Sequence, residues 1–127
     1  MSNRPASSSA VLWVDDDERY PSFHQAQLEE NGFQIFHTKQ GQQALQRLNQ
    51  QKFDLALVDT RLVDIDGMEL VGQMANRYRK MAIIIYTANP FYESNFRSWA
   101  ADAVMIKSKN TGELLSKFRH LLQRGAH

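Results

Sequence analysis

The chain has 127 residues, 43% of them apolar, which is enough for one independently folding core. Fifteen Lys and Arg face fourteen Asp and Glu, and this balance excludes the broad basic field that draws a protein to nucleic acid or an anionic membrane. There is no cysteine for a disulfide or thiolate site, no apolar run approaching the ~20 residues of a membrane span, and no signal-peptide core, so the chain reads as a cytoplasmic protein.

Residues 1–9 are small, polar and proline-interrupted, so a flexible tail is expected there, with one domain over residues 10–125. Ala10 to Val14 is a short apolar strand that runs into Asp15, Asp16, Asp17 and Glu18. Taken alone, that acidic stretch also reads as a solvated turn whose acids favour a helix N-terminus. The helix expected next carries Tyr20, Phe23, Ala26 and Leu28 at roughly helical spacing and stops at Gly32. Phe33 to Thr38 alternates as a strand, and Gly41 to Asn49 puts Ala44, Leu45 and Leu48 on one helical face.

Phe53 to Asp59 is the third expected strand, an apolar run ended by a carboxylate. Leu70, Val71, Met74 and Tyr78 keep helical spacing through Arg79, and the β-branched run Ala82 to Tyr86 ends in Thr87. After the Asn89-Pro90 turn, Tyr92, Phe96 and Trp99 mark a short helix, and Ala103 to Ile106 is a last strand that meets Lys107. Thr111 is placed to cap a final helix with an apolar stripe of Leu114, Leu115, Phe118, Leu121 and Leu122, closed by Gly125.

Five strands alternating with five helices over short connections imply a parallel sheet covered on both faces, a three-layer α/β sandwich. Ligands bind such sheets at the carboxyl ends of the strands. Those ends here carry Asp15 and Asp16, Asp59, Thr87 and Lys107, so three carboxylates, a hydroxyl and an ammonium converge on one crevice. Singly each has an ordinary reading: a helix cap or loop acid, a strand-end threonine, a solvated lysine.

On the acidic pair Asp15-Asp16, the strand-ending Asp59 followed by Asp66-Gly67, Thr87-Ala88 and Lys107, the chain resembles the receiver domain of two-component response regulators over Ala10 to Gln123. The resemblance implies a flavodoxin-like fold with strand order 2-1-3-4-5. It also implies an Asp59 that accepts a phosphoryl group from the phosphohistidine of a sensor histidine kinase, and a Mg2+ or Mn2+ ion held by Asp15, Asp16, Asp59 and the main-chain carbonyl of Arg61. Thr87, Ala88 and Lys107 would meet the phosphoryl group. Magnesium's preference for a few oxygen ligands plus water suits that set, and Lys107 would neutralise charge on the equatorial phosphoryl oxygens. The Thr87 hydroxyl, drawn to a phosphoryl oxygen, would move the following loop.

Four positions depart from the family pattern. Ser108 replaces a proline, commonly cis, so either a trans bond with a reshaped loop or a strained cis bond is expected. Val104 stands at the switch-aromatic position, where a stiff β-branched chain cannot repeat the inward swing. Val63 replaces a proline and loosens the loop after Asp59, while Leu62 keeps its apolar partner. Ala100 replaces a glycine, so the fourth helix is expected to end differently if the backbone there is left-handed.

Arg61 and Asn89 flank the line of water attack on a phosphoryl group and are expected to set its lifetime; for Arg61 a solvated arginine is the alternative. Output would run through protein binding on the face of the fourth helix, fifth strand and fifth helix, with Glu93 and Arg97 exposed, and with no direct contact to nucleic acid or membrane. The downstream protein is unknown, and the chain is expected to be a monomer or weak homodimer, either stand-alone or part of a larger regulator or hybrid kinase. The competing classes are a receiver-like interaction module that works without phosphorylation, and a flavodoxin-type binder or metal-dependent phosphatase. The acids after strand one oppose a flavin phosphate cradle. As a phosphoacceptor it would be a signalling domain that gains and loses its own phosphoryl group, not an enzyme turning over an external product.

Overall fold

A computed structural model of the chain describes residues 8–95 and 99–125, together with the side chains up to residue 123. Ten elements alternate in sequence: β1 Ser9–Val14, α1 Arg19–Glu30, β2 Phe33–Thr38, α2 Gly41–Gln50, β3 Leu55–Val58, α3 Gly67–Arg77, β4 Ala82–Thr87, α4 Phe91–Ser94, β5 Ala103–Ile106 and α5 Thr111–Gly125. The five strands form one sheet in the order β2-β1-β3-β4-β5, parallel at every pairing. This is the three-layer α/β sandwich expected from the alternation, with the flavodoxin-like strand order that the resemblance implied. No helix among the described residues is long and apolar enough to cross a membrane.

Alternation along the strands fills two cores. Val11, Trp13, Leu55, Leu57, Ile84 and Tyr86 face Leu28 of α1 and Leu114, Phe118 and Leu121 of α5. Their neighbours Ala10, Leu12, Val14, Ala56, Val58, Ile83 and Ile85 face Ala44 and Leu48 of α2 and Leu70, Val71 and Met74 of α3. Both faces are apolar, which is why these strands read as unbroken hydrophobic runs rather than as alternating ones.

Three local expectations are corrected. In α1, Phe23 is 49% exposed and Ala26 is also exposed, whereas Pro21, His24 and Leu28 are buried. The inward stripe therefore runs i, i+3, i+7 through a histidine, which an apolar count passes over. Thr111 opens α5 but does not cap it; Asn110 Oδ1 accepts the Glu113 N–H at 3.1 Å, and the Thr111 hydroxyl turns into the core. The described part of α4 is a single turn, with Trp99 Nε1 donating back to the Tyr92 carbonyl at 2.9 Å. Phe96 and Arg97 lie outside the described residues, as do residues 1–7, while β1 takes in Ser9, which the tail was expected to hold. Gly32, after α1, has φ 91° and is the C-terminal stop expected of it.

Candidate functional site

Strand register brings the site together. Val14 pairs with Val58, and the next residues, Asp15 and Asp59, leave the sheet side by side; Thr87 pairs with Ile106, so Lys107 starts one residue beyond Thr87's level. The ladder persists just past the strands through Asp59 N to Val14 O at 2.9 Å, Asp15 N to Thr38 O at 3.0 Å and Lys107 N to Thr87 O at 2.8 Å. The backbones of Asp15, Asp59, Thr87 and Lys107 are thus tied to neighbouring strands.

The Lys107 ammonium sits between two acids, 2.7 Å from Asp15 Oδ2 and 3.4 Å from Asp59 Oδ2, with about one-twentieth of its side chain exposed to solvent. Asp15 and Asp59 are buried and Asp16 is exposed. Burial, and then the Asp15 charge, push the Asp59 carboxyl up to about 6, with the Lys107 charge opposing. Burial alone would lower Lys107, but its bonds to Asp15 and Asp59 outweigh that and raise it. The acids of the first turn are otherwise paired: Arg19 grips Asp17, with Nη2 at 2.7 Å from Oδ2, and holds its carboxyl far below the usual range, and Lys39 meets Glu18 at 2.6 Å.

One oxygen from each of Asp15, Asp16 and Asp59 lies within 4.8 Å of the other two. A six-coordinate ion with bonds of about 2.0–2.1 Å spaces its ligand atoms roughly 3–4 Å apart, so these acids need only close slightly to hold magnesium. One ammonium for three clustered carboxylates leaves negative charge that a divalent cation would neutralise. The donor set, all oxygen, fits that ion.

Thr87 is buried and already engaged: its hydroxyl lies 3.0 Å from the Thr60 hydroxyl and accepts the Asn89 N–H at 3.1 Å. Ala88 and Asn89 are exposed, and Asn89 Oδ1 accepts the Phe91 N–H at the start of α4, so that side chain is turned away toward the helix. Arg61 is exposed, with no hydrogen bond or ion pair among the described residues. Val104 is half-buried and packs on the core between the sheet and α2 and α3, and Glu93 is exposed.

The loop after Asp59 is held without its proline. Val63 is 71% exposed, but Leu62 packs on the core, Asp64 accepts the Gly41 and Gln42 N–H groups at 2.9 Å each, and Asp66 caps α3 through the Met68 N–H at 2.9 Å. Two carboxylates, Asp64 and Asp66, thus anchor the loop after the exposed Val63. Gly67 explains the Asp-Gly pair, since a Cβ there would overlap the Asp59 carbonyl oxygen and come within 2.8 Å of Thr60 Cα.

Sequence reading missed the cluster behind Lys107. The Lys107–Ser108 bond is trans, since no cis peptide occurs among the described residues. Ser108 O accepts from Tyr86 Oη at 3.0 Å and His24 Nε2 at 2.8 Å, and Ser108 N donates to Tyr86 Oη at 3.1 Å. Ala100 shows no left-handed backbone, since no residue but glycine has positive φ among those described. The signal for His24 was its spacing, three residues after Pro21 and four before Leu28.

A doubly wound sheet with three carboxylates, a hydroxyl and a lysine at its ligand-binding edge has the donors of an acidic, cation-holding site. The family model of the response regulator receiver domain matches residues 11–119, and the chain belongs to that family. It is 28% identical over 116 residues to the alkaline phosphatase synthesis transcriptional regulatory protein PhoP of Bacillus subtilis, which covers 90% of this chain and 48% of PhoP. The chain spans about half the length of such curated relatives, 51% in the case of the probable regulator SilR of Salmonella typhimurium. Among solved structures it is similar to the response regulator TrrA of Thermotoga maritima in complex with Mg2+-BeF, at 32% identity and TM-score 0.81, covering 89% of this chain and 98% of that one. TrrA has also been solved with the histidine kinase ThkA, where the match has 32% identity and TM-score 0.80 and covers 90% of this chain and 98% of that one.

Proposed function

We propose that this receiver domain is a phosphoacceptor: an Asp59 carboxylate oxygen takes the phosphoryl group from a phosphohistidine on a sensor histidine kinase. The P–N bond breaks as the P–O bond of an acyl phosphate forms, and the imidazole leaves with its electron pair and gains a proton from solvent. The observation that carries this reading is the position of Lys107 Nζ, within 3.4 Å of Asp59 and 2.7 Å of Asp15. From there the ammonium meets charge gathering on the equatorial oxygens, and positioning with charge stabilisation is most of what phosphoryl transfer asks of a protein.

Asp15, Asp16, Asp59 and the Arg61 carbonyl would hold Mg2+ or Mn2+, which when bound neutralises phosphoryl charge and orients the group in line. Asp15 is pre-set for this: its Oδ1 accepts the Asp17 N–H at 2.9 Å, which fixes the carboxylate plane. The TrrA structures with Mg2+-BeF and with ThkA support the ion, the acyl phosphate and the kinase partner. Thr87 and Ala88 would close on the phosphoryl group, Arg61 would govern water access to it, and Asn89 would do so only on leaving the Phe91 N–H it now accepts.

The chain acts as a signalling domain of the cytoplasm, over residues 10–125, and does not turn over an external product. Its downstream protein binds the face of α4, β5 and α5. With Val104 half-buried in place of an aromatic, the signal leaves through the Thr87–Asn89 loop and the start of α4, where Asn89 bridges the two.

Incubation with a small phosphodonor and Mg2+, followed by intact mass, tests the reading. One added phosphoryl group, absent in Asp59→Asn, is expected. A folded protein that gains none is a receiver-like interaction module, and steady release of phosphate would make it a phosphatase.

A further inference from the structure

Three hydrogen bonds on the Ser108 peptide and a fourth from Thr111 to His24 join α1, β4 and α5 to the loop after β5. His24 on α1 is fully buried, and its ring stacks on Trp13 of β1 with centroids 6.0 Å apart and planes 19° apart. Trp13 in turn meets the Tyr86 ring edge-on at 5.6 Å. Both His24 nitrogens are occupied: Nε2 faces the Ser108 carbonyl at 2.8 Å and Nδ1 faces the Thr111 hydroxyl at 2.7 Å. A carbonyl only accepts, so the proton is assigned to Nε2, and Nδ1 accepts from Thr111. The same logic orients the Tyr86 phenol, which donates to Ser108 O and accepts from Ser108 N.

Every donor and acceptor of the Ser108 peptide is therefore committed, and the residue before it is Lys107. The lysine backbone is fixed on one side by the Lys107 N to Thr87 O bond at 2.8 Å and on the other by this clamp. A lysine side chain has four rotatable bonds, and its ammonium is useful here only if its root does not move. The clamp spends no group of the phosphoryl site itself. A phenol, an imidazole and a hydroxyl on rigid elements hold a peptide that lacks the stiffness of a proline.

We propose that His24 is a positioning residue for phosphoryl transfer, acting with Tyr86 through the Ser108 peptide to set the root of Lys107. The proposal rests on the phosphoacceptor reading of Asp59. His24 touches neither acid nor phosphoryl group; it holds the segment from which the ammonium extends. Gln at position 24 keeps an N–H donor near the Nε2 position, whereas Leu keeps only the bulk.

The test is the rate of acyl-phosphate formation from acetyl phosphate with Mg2+, alongside thermal melting, for the full chain and its variants. Wild-type phosphorylation is the control, so its failure refutes the phosphoacceptor reading, not this one. His24→Leu is expected to slow the reaction about tenfold, the scale of a sub-ångström misplacement of a charged group, and His24→Gln to recover most of it. In a Lys107→Ala background, His24→Leu should add no further loss, because the group it positions is gone; a merely structural role would lower both backgrounds alike. If His24→Leu fails to fold, Tyr86→Phe carries the test, since it keeps the ring and removes the bridging oxygen. Unchanged rates in folded variants, or equal losses with and without Lys107, overturn the proposal.

Discussion

Thr60 and Thr87 share a hydroxyl–hydroxyl hydrogen bond of 3.0 Å, across the gap between the residue after Asp59 and the end of β4. To reach a phosphoryl oxygen on Asp59, the Thr87 hydroxyl must give up this partner, so Thr60 holds the resting position. Valine at position 60 keeps the β-branch and removes the bond. A neutral hydrogen bond contributes about 0.5–1.5 kcal/mol net, so Thr60→Val should bind beryllofluoride with Mg2+ roughly two- to tenfold more tightly by calorimetric titration. Equal or weaker affinity would mean that Thr60 is not a latch.

Gly67 packs its bare Cα against the Asp59 carbonyl. Gly67→Ala would push backbone against backbone, which a rotamer change cannot relieve. A loss of about 1–3 kcal/mol in urea unfolding is expected, together with slower phosphorylation of the molecules that remain folded. Wild-type stability in this variant would show that the loop yields without cost.

Asp15 and Asp59 are buried acids sharing one ammonium, so without a cation the site opposes folding. Asp59→Asn removes one like charge and should melt a few degrees above wild type in chelator, roughly the effect of a 1 kcal/mol gain. Millimolar Mg2+ should reverse the order, because ion binding stabilises only the chain that keeps its ligands. A variant no more stable than wild type in chelator would show that Lys107 already balances both acids.

His24 gives the protein a pH dependence separate from that site. Burial lowers its pKa below the ordinary 6.5, with the Ser108 hydrogen bond opposing, so the folded state resists the proton that the unfolded chain accepts. Stability should therefore fall as pH drops below about 6.5. Of the titratable groups around it, burial raises Tyr86, which stays neutral in this range, and the Lys109 ammonium lies over the adjoining Phe23 ring. Urea unfolding at several pH values should show a shallower decline for His24→Gln than for wild type; parallel curves would remove His24 as the cause.

Arg61 is exposed and free of partners among the described residues, ready to swing over a phosphoryl group two residues away. Arg61→Ala should shorten the acyl-phosphate lifetime at least about twofold, the modest effect of an exposed charge pair. An unchanged lifetime, read by intact mass after donor removal, would leave a solvated arginine.

Sequence alone determined the layout, because its two signals are local. Short unbroken apolar runs for the strands and a period near 3.6 for the helices fix the order of elements, and their alternation leaves a parallel sheet as the way to bury both faces of strands such as Leu55–Val58. Parallel strands all end at one edge, so Asp15, Asp59, Thr87 and Lys107 could be assembled without coordinates. What only the tertiary structure decided is contact between elements that no periodicity couples. The Asp64 cap on α2, the Thr60–Thr87 bond, and the burial of His24 in place of Phe23 depend on which rotation each helix and loop adopts against its neighbours. The same holds for the Ser108 clamp: a missing proline is visible in the chain, but the imidazole and phenol that take over its duty lie 84 and 22 residues away and meet it only when α1 and α5 pack on the face of the sheet that carries Tyr86.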